Sequence, residues 1–448
     1  MTTLTVGTPT LFETTESAVR SYSRAFPALF TSAKGDLLTS ADGSRYIDFL
    51  AGAGTLNYGH NPDLIKEELI AYLEHDGIVH GLDLATSAKA AFLEALRTHI
   101  LEPRGLDYKV QFTSPSGTNA VEAALKVARL ATGRTNVIAF GGGFHGVSTG
   151  SLAATGAQYY RQGLESTLPQ VTHIPYPDSP QGEFDSIGLL RRLLDDPSSG
   201  VDKPAAVLLE TVQGEGGVWV APVPFLKELR ALCDSHGILL VVDDIQAGCG
   251  RTGSFFSFER AGITPDLVTL SKSIGGYGLP MAIVLIKPEY DIWRPGQHNG
   301  TFRGNQLAFV AAAAAIRHYW SDNAFAKQIR TKSELVSDFL DRQIAAPFGA
   351  RVRGLGLMRA VDLGEVPGVE AADVSRRCFE KGLIIETCGR HDEVLKLLPP
   401  LTISQVNLSA GLNTLVDALT ELTGTRSAPL PPATGRRSAE SLNEVHAA

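Results

Sequence analysis

Apolar positions along the chain follow two rhythms. Short uninterrupted runs, such as Ile238 to Val242 and Leu267 to Leu270, alternate with longer segments in which apolar residues return every third or fourth place, such as Ala120 to Ala131 and Pro224 to His236. The runs predict strands and the spaced segments predict helices. Val110 to Thr113, Asn136 to Phe140, Ala205 to Glu210, Ile238 to Asp243, Leu267 to Leu270 and Ala282 to Ile286 form the strand series. Their Val- and Ile-rich character without polar alternation suits strands covered on both faces. The expected fold class is therefore α/β, a mostly parallel central sheet flanked by helices.

The flanks read differently. LLTSADGSRYIDFL, Leu37 to Leu50, predicts a hairpin turning at Asp42-Gly43. SAVRSYSRAFPALF ahead of it predicts a short amphipathic helix packing as an arm, and helical spacing returns after Asn61-Pro62 through Tyr72 and from Ser87 to Ile100. Towards the other end, Asn323 to Ile344 and Ser409 to Leu422 have helical spacing, with strand-like segments at Val352 to Asp362 and Leu383 to Cys388. This divides the chain into an N-terminal arm and part of a small domain (1–60), a large domain (61–320) and a C-terminal α+β small domain (321–424). Residues 425–448, rich in Pro, Ser and Ala without periodicity, predict a disordered tail.

Composition narrows the partners. The 448 residues carry a formal net charge of -8 and no basic run, which argues against nucleic acid or an anionic membrane surface. No apolar stretch is long enough for a membrane span, and the first twenty residues lack the charged start and apolar core of a secretory signal. Cys233, Cys249, Cys378 and Cys388 show no paired spacing, so the expectation is reduced thiols in a cytoplasmic protein and no metal site.

The chemistry gathers where two predicted strands end. The run through Val242 stops at Asp243 and Asp244, and the run through Leu270 stops at Ser271, Lys272, Ser273 and a Gly-Gly pair. Ligands of open α/β sheets sit beyond the carboxyl ends of strands, so a carboxylate and an amine are expected in one crevice. A lysine is ordinarily a solvated surface charge. One that ends an apolar strand is instead expected to be desolvated, with a lowered pKa. Two neighbouring aspartates after a strand also occur in magnesium sites, but the phosphate loop GxxxxGK[ST] that would accompany them is missing from this sequence. GGGFHG, Gly141 to Gly146, and GCGRTG, Gly248 to Gly253, both match a dinucleotide fingerprint formally; neither has an acidic partner at the right distance.

Asp243, Asp244, Ile245 and Gln246, a Gly-rich turn and Lys272 about thirty residues on resemble the class III (ω-type) aminotransferases of fold type I, over roughly Ala41 to Gly424. Within that family FLAGAGTLNYGHN, HGLDLAT, RGLDYKVQF, HNGTFRGN and LLPPLTIS are similar to the group that acts on diaminobutyrate and 2-oxoglutarate. The resemblance implies a fold type I transferase whose smaller α+β domain is made from both chain ends, with pyridoxal 5'-phosphate as cofactor. Lys272 would be the Schiff-base lysine, and Asp243 would pair with the pyridine nitrogen. Ile245 and Phe144 would cover the two ring faces, with His145 beside Phe144 and Gln246 at the phenolic oxygen. Ser116, Gly117 and Thr118, a small-residue turn between a predicted strand and helix, would hold the phosphate on free N–H groups. The family's usual glutamate after that threonine is Asn119 here.

The resemblance also implies a homodimer, with Thr301 of the polar loop His298 to Asn305 reaching the neighbouring active site. Glu215 and Lys396 fall where the family has a glutamate–arginine pair that opens for 2-oxoglutarate. Lysine cannot grip a carboxylate bidentately, so the gate is expected to differ. The tyrosine of the ornithine enzyme's pocket corresponds to Ala53 here. The implied reaction exchanges the terminal amine of L-2,4-diaminobutyrate with 2-oxoglutarate, giving aspartate 4-semialdehyde and glutamate. Such a reaction would serve ectoine or secondary-metabolite biosynthesis, and its partners are a small amino donor and a 2-oxo acid or aldehyde acceptor. The rival expectations are an ω-aminotransferase for ornithine, GABA or another amine, and a non-catalytic subunit that keeps the fold.

Overall fold

A computed structural model describes residues 10–425. Seven strands form the central sheet, in the spatial order Lys109–Phe112, Ile283–Ile286, Leu267–Leu270, Leu239–Asp243, Ala206–Leu209, Val137–Phe140 and Thr172–Ile174. Only Ile283–Ile286 runs against its neighbours, so the sheet is mostly parallel as its apolar runs require. The middle strands are buried along their whole length. Val137, Ala139, Leu239 and Val241 pack on one face with Ala120, Val121, Ala124 and Leu125, while Ile138, Phe140, Leu240 and Val242 join the larger core on the other. A two-residue period thus survives inside a run that is apolar throughout. The helix Gly117–Thr132 buries mostly alanines against the sheet, and these small side chains let its axis come close.

Two four-stranded sheets lie outside this one. Phe30–Lys34, Leu37–Ser40 and Arg45–Asp48 are completed by Leu383–Ile384, which pairs in parallel with Arg45–Asp48; the ends of the chain therefore share one sheet. Arg351–Leu355, Met358–Asp362, Val394–Leu397 and Glu386–Cys388 form the other.

Several expectations need correction. The amphipathic helix expected before residue 30 is a single turn, Tyr22–Ala25, because Pro27 disfavours helical backbone in front of it and Phe30 already starts a strand. Val352 to Asp362 is a hairpin, with Gly354 and Gly356 at positive φ taking a bend that other residues resist. Leu383 to Cys388 divides its residues between both small sheets. The helix through Ile100 ends as a π turn, Leu96–Leu101. Residues 426–448, nearly all of the expected tail, lie outside the described residues. No helix among the described residues is long and apolar enough to cross a membrane.

Candidate active site

Asp243 is the last residue of its strand, paired with Thr269 on the next strand, and Lys272 follows three residues later. Adjacent parallel strands therefore deliver both groups to the same sheet edge. Asp243 is buried, and its carboxylate accepts from His145 Nδ1 at 2.7 Å, from Thr269 Oγ1 at 3.2 Å and from the Ile245 N–H at 3.2 Å. Burial pulls the His145 pKa down, but the hydrogen bond and charge of Asp243 outweigh it and raise the pKa overall. His145 Nε2 is buried without a partner. Asp244 points elsewhere: it accepts the Ser257 N–H at 3.0 Å, and burial pushes its pKa up to about 7.

Lys272 opens a 3₁₀ turn at φ 53°, a left-handed conformation uncommon outside glycine. Its neighbours hold that turn. Ser271 Oγ donates to the Met281 carbonyl at 3.0 Å and Ser273 Oγ to the Gly54 carbonyl at 2.7 Å. The side chain is half-buried, and loss of water lowers its pKa; Glu215, Glu386 and Asp243 oppose that shift while Lys396 adds to it.

The turn Ser116-Gly117-Thr118 starts the long helix beneath the same edge. Asn119 Oδ1 accepts from the Ser116 N–H and hydroxyl, so it closes the turn from the helix side. The Thr118 hydroxyl contacts those of Ser148 and Ser151, each at 2.5 Å. A Cβ on Gly117 would lie 3.0 Å from Ile245 Cδ1, which fixes Ile245 directly against this turn. Gln246 Nε2 donates to the Ala53 carbonyl at 3.1 Å and to Glu215 Oε1 at 3.2 Å; its Oε1 is buried and unpartnered.

Glu215 and Lys396 meet at 2.6 Å. Burial alone would raise the Glu215 pKa, but the Lys396 and Lys272 charges overcome it and hold it at about 2. Burial likewise disfavours the Lys396 ammonium, and Glu215 and Glu386 reverse that, keeping its pKa well above the usual lysine value. Glu386, 3.2 Å from Lys396, was not singled out in the sequence, nor was Glu210, which accepts the N–H groups of Phe144 and Gly214. Both had one signal: an acid at the end of, or inside, an apolar strand, where an unpaired charge is costly. Phe144 packs edge-on to Tyr160 and, with Glu215 and Glu386, lines a cavity of about 970 Å³. Thr301 is exposed on its loop, and no side-chain hydrogen bond among the described residues ties it to the other groups.

An amine of lowered pKa, a buried carboxylate at a strand end, a small-residue turn and unpartnered buried polar atoms on His145 and Gln246 suit a phosphorylated aromatic aldehyde. The model of the class III aminotransferases matches residues 18–419, and the chain belongs to that family, whose cofactor is pyridoxal phosphate. Among its relatives, the diaminobutyrate–2-oxoglutarate transaminase of Bordetella parapertussis is 54% identical over 92% of this chain and 96% of its own. The enzyme of the same name from Vibrio cholerae is 54% identical over 92% and 100%. Of solved structures, the ornithine aminotransferase of Toxoplasma gondii aligns over 92% of this chain and 94% of its own, with TM-score 0.79 and 25% identity. The taurine:2-oxoglutarate aminotransferase of Bifidobacterium kashiwanohense shares the fold at TM-score 0.79 and 24% identity, over 89% and 93%.

Proposed function

We propose that this chain is a homodimeric aminotransferase interconverting L-2,4-diaminobutyrate and 2-oxoglutarate with L-aspartate 4-semialdehyde and L-glutamate. The observation that carries the chemistry is the half-buried Lys272 amine, at the same sheet edge as Asp243 and within the field of Glu215 and Lys396. The donor and acceptor rest on the names of the 54% identical relatives.

Pyridoxal phosphate supplies an electron sink and a temporary store for the amino group. Lys272 would anchor it and move the proton at the amine-bearing carbon of each substrate, and the loss of water that lowers its pKa favours the neutral form that this task needs. Asp243 would hold the proton on the pyridine nitrogen, and its bond to His145 at 2.7 Å fixes the carboxylate's direction. Ile245 and Phe144 would cover the ring, with His145 beside it, and Gln246 would serve the phenolic oxygen. Ser116, Gly117 and Thr118 take the phosphate at a helix N-terminus. Glu215 masks Lys396 until a substrate carboxylate competes for it.

Thr301 completes the phosphate site of the opposite subunit in this reading. Support comes from Ile78, Val79, Leu82, Leu84 and Phe302, all exposed, on two segments joined by the His80–Asn305 bridge. The four cysteines are buried and free, in keeping with a reducing cytoplasm.

Purified holoprotein given 2-oxoglutarate should turn over L-2,4-diaminobutyrate faster than L-ornithine or 4-aminobutyrate. Faster turnover of either rival would refute the donor, and a fully active monomer in sedimentation would refute the shared site.

A further inference from the structure

Lys396 faces more negative charge than a one-to-one gate requires. Glu215 alone would neutralise it, yet Glu386 stands 3.2 Å away as a second carboxylate on the same ammonium; Lys272, the other positive charge that both carboxylates feel, is the amine that the cofactor would take. Lys396 is fully buried and Glu386 is 6% exposed, so solvent does little to spread this charge. Tyr22, from the opposite end of the chain, donates its hydroxyl to Glu386 Oε2 at 3.1 Å and orients the group. The other oxygen, Oε1, faces the Lys396 ammonium at 3.2 Å without a well-aligned hydrogen bond, so that side of the carboxylate is ion-paired but not saturated. Glu386 lines the same cavity as Glu215, Phe144 and Tyr22, where a substrate would extend away from the reacting amine.

The proposed donor differs from the acceptor at that far end. A 2,4-diamino acid brings an ammonium it does not transfer, whereas 2-oxoglutarate brings only a carboxylate. We propose that Glu386, held by Tyr22, is the specificity residue that receives the untransferred ammonium of a diamino acid. Burial already raises the Glu386 pKa, so its ionised form gains when a cation arrives. Charge-assisted hydrogen bonds of this kind are among the stronger polar contacts in a desolvated site. The inference rests on the diamino-acid reading of the function.

The comparison donor is 4-aminobutyrate, which is the same molecule without the second ammonium. Single-turnover kinetics of the holoenzyme should show Glu386→Gln losing roughly tenfold to a hundredfold in kcat/KM for L-2,4-diaminobutyrate, mainly through KM. The value for 4-aminobutyrate should fall far less. Calorimetric binding of both acids to the aminated enzyme, which cannot react with them, should show the same change in ratio. Tyr22→Phe should shift the ratio in the same direction by a smaller factor, and it provides the test if Glu386→Gln does not fold. Equal losses for both donors, or an unchanged ratio, would overturn the role of Glu386. A wild-type enzyme inert towards diaminobutyrate would instead overturn the proposed donor.

Discussion

Asp243 and Asp244 are neighbours with opposite environments. Asp243 keeps three hydrogen-bond donors, whereas Asp244 is buried with one oxygen unpartnered. Burial pushes the Asp244 pKa from 3.8 up to about 7, against the Ser257 hydrogen bonds. The folded protein therefore binds a proton that the unfolded chain has released, and this residue's contribution to stability falls as pH rises through that interval. Asp244→Asn should flatten that part of the denaturation-versus-pH curve; an unchanged slope would contradict the assignment. Lys272 and Asp243 were legible in the sequence because each terminates an apolar run. Glu386 carried only the weaker signal of one acid beside an apolar run, which by itself also fits an outward-facing position. Tyr22 was beyond reach, because its partner lies 364 residues away.

At the scale of elements, the central strands were legible because burial on both faces leaves an unbroken apolar run. The helix Gln306–Tyr319 escaped notice for the converse reason: nine of its residues are buried, mostly alanine, so no polar stripe marks a face. Thr172–Ile174 is too short to leave a pattern. That alanine-rich helix supports the Lys272 turn. A Cβ on Gly276, at φ 73°, would stand 2.5 Å from the Ala311 carbonyl oxygen, a backbone atom that cannot swing aside. Gly276→Ala should cost about 3 kcal/mol of stability through strain and overpacking. It should also lower activity by displacing the turn that bears Lys272. Wild-type melting temperature and turnover would show that the close approach is not maintained in solution.

Over the whole molecule, residues far apart in sequence converge on one cleft: Tyr22 from the N-terminal segment, Asp243 and Lys272 from the central sheet, Glu386 and Lys396 from the C-terminal strands. Fold class and family could be read from the chain because apolar runs and the Asp243–Lys272 spacing are local. The arrangement around Lys396 could not, because it depends on a sheet whose strands Glu386–Cys388 and Val394–Leu397 meet only after folding. That cleft holds two lysines with opposite shifts, the half-buried Lys272 lowered and the buried Lys396 raised. Loss of water favours the neutral amine at the first, whereas the two carboxylates favour the ammonium at the second. Treating the holoprotein with borohydride, digesting it and mapping the modified lysine by mass spectrometry separates them: cofactor fixed to Lys272, and lost in Lys272→Ala, is the expected outcome. Cofactor fixed to Lys396 or any other lysine in the wild-type protein would contradict it.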